Sequence, residues 1–554
     1  MMTRPNSPFF FALVAALVFI HPAEASGQKL GSKWHEDTEL GYKFKPLKDW
    51  SATPLPSDRL AAGQILNFNA DKAKSVKLAA NRRTNLLFSL FAFRLDQPIS
   101  TTEGNGGGLR GRVKEQTKRP TVEEMIPRFF QVRDFQENLN EPFQEPEEVK
   151  ITKDFYARHA TYRAFSPEGF DTLLDTWTFH FEDYDIAFVW LVPEQYAKKN
   201  LRAFEKSMKS LRKIDRKEGA KKVAGDGDYN SFLKYQQSLA AKTPGWKVVE
   251  TPSKDFMLVT SSDDKRFLAD VVERLEKSRK LYEKDFPPNA EFDFVSMVRV
   301  CASKSEMMKY GNTKGNVAGF FNPGSKELVL YDNQEQNRNE TFAVMSHEAF
   351  HQYCFFLFEK AEAHRWFDEG QGDYYGGFDM GGKKPKSTAH MPGALDRYPH
   401  IKTMVREDNF VPIEHLVRMN HEEWYGNNNR YNGIASYAQS WALVYFLRQG
   451  MLGEVPSKVW KKEYAQIIPN YTKHLFAGFQ ETRQALRKEI EEVIRKAGGE
   501  SAIPKEHLER LNRFRVKDEA KIKIWTKATA ESWGKINAEE FQSHWKVYVL
   551  KHMK

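Results

Sequence analysis

Cysteine is nearly absent: the 554-residue chain holds two, Cys301 and Cys354. That excludes a disulfide-stapled scaffold and leaves room for one bridge, between a strand end and a helix, or for two buried free thiols. Long apolar runs are missing as well. The run Phe9 to Ile20 is too short to span a bilayer, and no later stretch is long and apolar enough for a transmembrane helix. Runs of Lys and Arg and nucleic-acid motifs are lacking too. The formal charge of +10 therefore implies a mild preference for anionic surroundings and no nucleic-acid partner. The glycine-rich stretch Gly104 to Arg112 lacks the Lys-Ser/Thr of a phosphate loop and the flanking strand and helix, so it reads as a flexible hairpin loop.

What is present describes an exported globular protein. Hydrophobic residues make up 40%, aromatics 13% and charged residues 29%, in a length that suggests two or three domains. Residues 1–26 carry Arg4, the apolar run and the small-x-small site Ala23-Glu24-Ala25, the pattern of a secretory signal, with no Cys after it for a lipid anchor. The mature protein is expected to be secreted or periplasmic.

From about Trp34 to Asp215 the pattern is strand-rich. Tyr42 and Phe44 alternate before a Pro turn, Leu86 to Leu95 is apolar, Leu173, Trp177, Phe179 and Phe181 sit mainly at spacing two, and Ile186 to Val192 is another strand, closed by a helix from Glu194 to Leu211. Residues 216–228 are charged, Gly-containing and poor in apolar residues, which marks a linker. Beyond it come a helix from Tyr229 to Ala241, a strand from Phe256 to Thr260, and a helix from Asp263 to Asp285 with acidic residues in its first turn. Phe294 to Cys301 reads as a buried strand, and Val317 to Phe321 and Leu328 to Tyr331 flank the hairpin signal N-P-G-S. Gly376 to Pro399 reads as a loop near the cleft, Tyr431 to Leu447 as an apolar helix, and Glu481 to Lys554 as a charged helical tail anchored by Trp525, Trp533 and Trp545.

The stretch Glu340 to Phe358 contains H-E-x-x-H as His347, Glu348 and His351. On a helix, residues four apart share a face, so two imidazoles can close on one Zn²⁺ while Glu348 stands beside its water as a general base. Phe342, Met345, Ala349, Tyr353 and Phe356 recur near the helical period with no Gly or Pro between them, as in a buried helix. A third ligand is needed. The segment HRWFDEGQGDYY offers Glu369, with Asp373 one turn further on to accept the spare N–H of a ligating His. Glu362, His364 and Asp368 are competitors in the same stretch. His364, His390 and His421 are otherwise expected as surface or loop groups.

Taken together, His347, Glu348, His351, Glu369 and Asp373 resemble the gluzincin clan of zinc metallopeptidases. Trp366, Phe367, Glu369 and Gly370 are similar to the W-F-x-E-G of the peptidase MA-like domains of secreted bacterial proteins. The metzincin pattern is excluded, because Cys354 and Leu357 stand where its Gly and third His belong. The resemblance implies a sheet packed on the motif helix, a second helix carrying the Glu, and a helical remainder. It further implies that Leu328 to Tyr331 edges the cleft and that Tyr437 steadies the oxyanion of a tetrahedral intermediate. The histidine that thermolysin-like members use for that purpose has no counterpart. The N-terminal part, 34–215, resembles PsbP-like α/β domains in its opening G-Y-x-F-x-P-x-x-x-W and its closing AFEKSMKSLRKI.

The expectation is an α+β protein: a strand-rich domain at 34–215, a linker at 216–228 and a gluzincin-like zinc peptidase domain at 229–554, acting on peptide or protein substrates. The alternative is a noncatalytic binding module in which zinc only stabilises the fold. Glu348, which a structural site does not need, favours the enzyme.

Overall fold

The computed structural model describes residues 28–77, 83–86, 88–95, 120–130, 132, 134–135, 139, 141–166, 169–217, 228–288, 294–311, 318–334, 337–358, 360–382, 384–420, 423–424, 433–503 and 516–553. The expected signal at residues 1–26, the glycine-rich loop 104–112, most of the expected linker and His421 lie outside them. The fold is α+β, and the chain forms two compact units, residues 1–51 with 68–218 and residues 52–67 with 219–554.

In the first unit, antiparallel strands follow in the order Ser89–Arg94, Asp185–Pro193, Asp171–His180, Phe155–Phe165, Gln144–Thr152. Residues 172–179 are all buried, because both faces of the sheet are covered. On one face, Phe204 of the helix Ala197–Lys209 stacks on Trp190 with ring centres 4.2 Å apart. On the other, Val122, Met125 and Ile126 of the helix Val122–Phe129 pack with Phe93, Ala160 and Tyr162. The expected strand from Leu86 to Leu95 is divided into Arg83–Leu86 and Ser89–Arg94.

The second unit is built on a mixed five-stranded sheet in the order Lys247–Glu250, Phe256–Thr260, Ser296–Cys301, Glu327–Tyr331, Gly319–Asn322, parallel at its two central pairings and antiparallel at both rims. Strand residues alternate between two cores. Leu258, Val298, Val300, Leu328 and Leu330 face the helix Lys265–Asp285 and the motif helix Arg338–Leu357, whereas Met257, Val259, Cys301 and Val329 face the helix Tyr229–Ala241. Cys301 and Cys354 belong to opposite cores and are both free, buried thiols. Asp264 caps the helix Lys265–Asp285 by accepting the N–H of Phe267 at 3.0 Å, so the acidic residues expected inside the first turn, Asp263 and Asp264, stand just before it.

Leu328 to Tyr331 is not the edge of this sheet. Its strand is paired on both sides, and Gly319–Asn322 takes the outer position after the tight turn between them. The helical remainder includes Gly433–Met451, Ile467–Lys496, Asp518–Trp533 and Ala538–Lys551, with Trp525, Trp533 and Trp545 buried. Among the described residues no helix is long and apolar enough to cross a membrane.

Candidate metal centre

The motif helix begins where the Asn337 side chain accepts the N–H of Asn339. One turn apart on it, His347 and His351 bring their Nε2 atoms to 2.9 Å. The helix Arg365–Gly376 lies against the motif helix and supplies Glu369, whose Oε2 is 3.2 Å from His347 Nε2 and 3.4 Å from His351 Nε2. Glycine permits that approach: a Cβ on Gly372 would stand 2.9–3.1 Å from the His347 ring, and one on Gly370 would stand 2.7 Å from the carbonyl oxygen of Ser440 in the helix Gly433–Met451.

Each imidazole is fixed from behind. His347 Nδ1 lies 2.9 Å from Asp373 Oδ1, and His351 Nδ1 lies 2.9 Å from Asp368 Oδ1. With both Nδ1 hydrogens donated to carboxylates, each Nε2 presents a lone pair, and the two lone pairs converge with the Glu369 oxygen. Three acceptors facing one another favour a positive charge between them, a proton or a metal ion. Bonds of about 2.1 Å to a tetrahedral zinc space its ligand atoms by roughly 3.4 Å, close to the separations found here. The electrostatics agree. Burial by itself would lower the His347 pKa, but Asp373 and Glu369 raise it to about 9; Asp368 and Glu369 likewise outweigh burial at His351 and raise its pKa. Burial would raise Glu369, yet the two imidazoles hold it well below the ordinary carboxylate range. His347, His351 and Glu369 therefore fit a divalent ion such as zinc.

Arg365 Nη1 stands 3.1 Å from Glu369 Oε1, which leaves Oε2 as the oxygen turned to the histidines. Glu348 follows His347 on the motif helix and turns toward the edge strand, where Phe321 N–H donates to its Oε2 at 2.8 Å. Burial raises the Glu348 carboxyl above its ordinary pKa. A cavity of about 560 Å³ opens over these groups, walled by Phe320, Phe321 and Pro323 on one side and by Leu395, Arg397 and Tyr437 among its other lining residues. Arg397 Nε donates to Asp373 Oδ2 at 2.9 Å, and its guanidinium lies 5.5 Å from the Tyr437 ring centre.

All six residues singled out by sequence, His347, Glu348, His351, Glu369, Asp373 and Tyr437, line this one cavity. Sequence reasoning missed Asp368 as the partner of His351, and missed Arg365, Arg397 and the Phe321 N–H. Only Asp368 left a signal, its position next to Glu369. His364 lies, as expected, in a loop outside the cluster, but it is buried there, 5% exposed, with Nδ1 2.9 Å from Tyr471 Oη. His390 is exposed and pairs with Asp396 at 3.0 Å.

No family model matches the chain, and no curated protein matches it. Among solved structures, the chain is similar to a protein of Bacteroides thetaiotaomicron VPI-5482, at 10% identity and a TM-score of 0.19, over 60% of this chain and 80% of that one. A likeness of that strength carries no argument about fold or function.

Proposed function

We propose that the second unit is a zinc-dependent metallopeptidase of the gluzincin type, carried in an exported protein and acting on peptide or protein substrates, with His347, His351 and Glu369 as ligands. The position of Glu348 carries the reading: a half-buried carboxylate next to the proposed ligand imidazoles on the motif helix, open to the cavity, has no use in a metal site that only stabilises the fold.

Zinc held there supplies a Lewis acid and lowers the pKa of a water molecule. Glu348 then works as the proton carrier. Its Oε2 is held by the Phe321 N–H, leaving Oε1 to take the proton of the attacking water and pass it to the leaving amine nitrogen. Burial, by raising the carboxyl, brings its proton affinity closer to that task. Asp373 and Asp368 keep the Nδ1 protons in place and so hold each Nε2 as a lone pair. From the cavity wall, Tyr437 donates its hydroxyl to the developing oxyanion. An extended substrate lies along Gly319–Asn322, the strand at the rim of the sheet.

The test joins metal analysis to digestion of a peptide library. After zinc reconstitution the mature chain is expected to hold one zinc, and Glu348→Gln to keep it while losing most hydrolysis. A chain that binds no zinc, or a variant as active as its parent, would end the proposal.

A further inference from the structure

Two arginines line the cavity, and they differ in the hydrogen-bonding capacity they have left. Arg365 is surrounded by carboxylates, with Glu369 at 3.1 Å, Asp368 at 3.5 Å and Glu362 at 3.8 Å. Arg397 commits only Nε, to Asp373 Oδ2. Its two Nη atoms make no hydrogen bond among the described residues, and its side chain is 16% exposed. The other oxygen of Asp373, Oδ1, is turned to His347.

A guanidinium anchored at Nε and flanked by the Tyr437 ring is held in one orientation before any ligand arrives. Its free edge is a pair of parallel donors, the shape that grips a carboxylate through both oxygens. A neutral carbonyl covering that edge accepts a single hydrogen bond and leaves the desolvated charge uncompensated; a carboxylate both matches the pair of donors and neutralises the charge. We infer that Arg397 receives a carboxylate of the substrate, either the free C-terminal carboxylate of a peptide or an acidic side chain. Because Arg397 reaches His347 through Asp373 alone, that carboxylate lies within roughly two residues of the bond held over the metal centre, at ~3.3 Å per extended residue. The placement relative to a scissile bond rests on the peptidase reading. The recognition of a carboxylate does not.

The experiment measures binding separately from turnover. Zinc-loaded Glu348→Gln protein is titrated calorimetrically with N-acetylated peptides of two to five residues, each as free acid and as amide. A second set, blocked at both ends, carries Glu or Gln at each position in turn. The expected result is about tenfold or more tighter binding of the carboxylate member in one set, the first identifying a terminal carboxylate and the second a side chain. Adding Arg397→Gln, with zinc content checked, should bring acid and neutral members to within about twofold; Arg397→Lys, which keeps the charge and loses the fork, should fall between. Equal binding of every pair by the parent overturns the inference without any Arg397 variant, and so does a preference that survives Arg397→Gln. Carboxylate-selective binding in a wild-type protein that hydrolyses none of the peptides would sink the peptidase reading and leave Arg397 assigned.

Discussion

Asp368 Oδ1 lies 2.9 Å from His351 Nδ1, the same separation as between Asp373 Oδ1 and His347 Nδ1. One helix, Arg365–Gly376, thus supplies both the carboxylate that faces the two Nε2 atoms and the carboxylates that orient both imidazoles. Helical geometry makes this possible: adjacent residues diverge by about 100°, sending Asp368 to the Nδ1 side of His351 and Glu369 to the Nε2 side, and Asp373 returns to the Glu369 face one turn on. Asp368→Asn is therefore expected to weaken zinc binding about 10–100-fold, as much as Asp373→Asn. Competition with a zinc chelator measures both. An Asp368→Asn protein with wild-type affinity would detach Asp368 from the site.

The glycines of the same helix separate metal binding from stability. A Cβ on Gly372 would meet His347 Nδ1 at 3.0 Å and Nε2 at 3.1 Å, so Gly372→Ala is expected to displace that imidazole and lose zinc with a small change in melting temperature of the metal-free protein. On Gly370 the Cβ meets the Ser440 carbonyl oxygen at 2.7 Å, and a carbonyl in a packed helix cannot step aside. Gly370→Ala should cost about 1–3 kcal/mol in urea unfolding. Equal zinc loss in both variants would contradict this division.

How far the sequence can be read depends on the range of the interaction. Glu369 and Asp373 are legible because helical spacing alone puts them on one face, and the strand Phe256–Thr260 has the bounds its apolar run gives it. The edge strand was misread because position in a sheet is a long-range property. Yet a clue was there: Leu328 to Tyr331 is an unbroken apolar run rather than an alternating one, the mark of a strand covered on both faces, and the structure buries every residue of Glu327–Tyr331. Arg397 left no trace, since it comes from a loop 24 residues beyond Asp373. The loop position of His364 is legible, but its burial is not, because that depends on Tyr471 and Trp525, far along the chain.

That burial gives His364 a pH signature. Its main-chain N–H donates to Tyr471 Oη, so the Tyr471 hydroxyl hydrogen goes to Nδ1, which must be unprotonated to accept it. Burial pushes the imidazole down to about 3. This value lies below the ordinary 6.5, so the unfolded chain takes up the proton first. The contribution is whole above about pH 6.5 and is lost as pH falls toward 3, at up to about 1.4 kcal/mol per pH unit. Urea midpoints at pH 7 and pH 4.5 should therefore fall further for wild type than for His364→Gln. Parallel losses would show that His364 titrates normally.

The third ligand remains the sharpest test of the centre. Glu362, His364, Asp368 and Glu369 lie close in sequence, but only Glu369 turns an oxygen to both Nε2 atoms. Arg365 decides which oxygen that is, holding Oε1 at 3.1 Å and leaving Oε2 to the imidazoles. His364 is committed to Tyr471, and Glu362 faces Arg365 at 3.8 Å. Glu369→Ala should consequently abolish tight zinc binding. Glu362→Ala and His364→Ala should leave the affinity near wild type, and Asp368→Ala should weaken it only as loss of an orienting group does, about 10–100-fold. In chelator competition across the four variants, retention of zinc by Glu369→Ala alongside its loss in any other would move the ligand to that residue. The gluzincin arrangement would then fail.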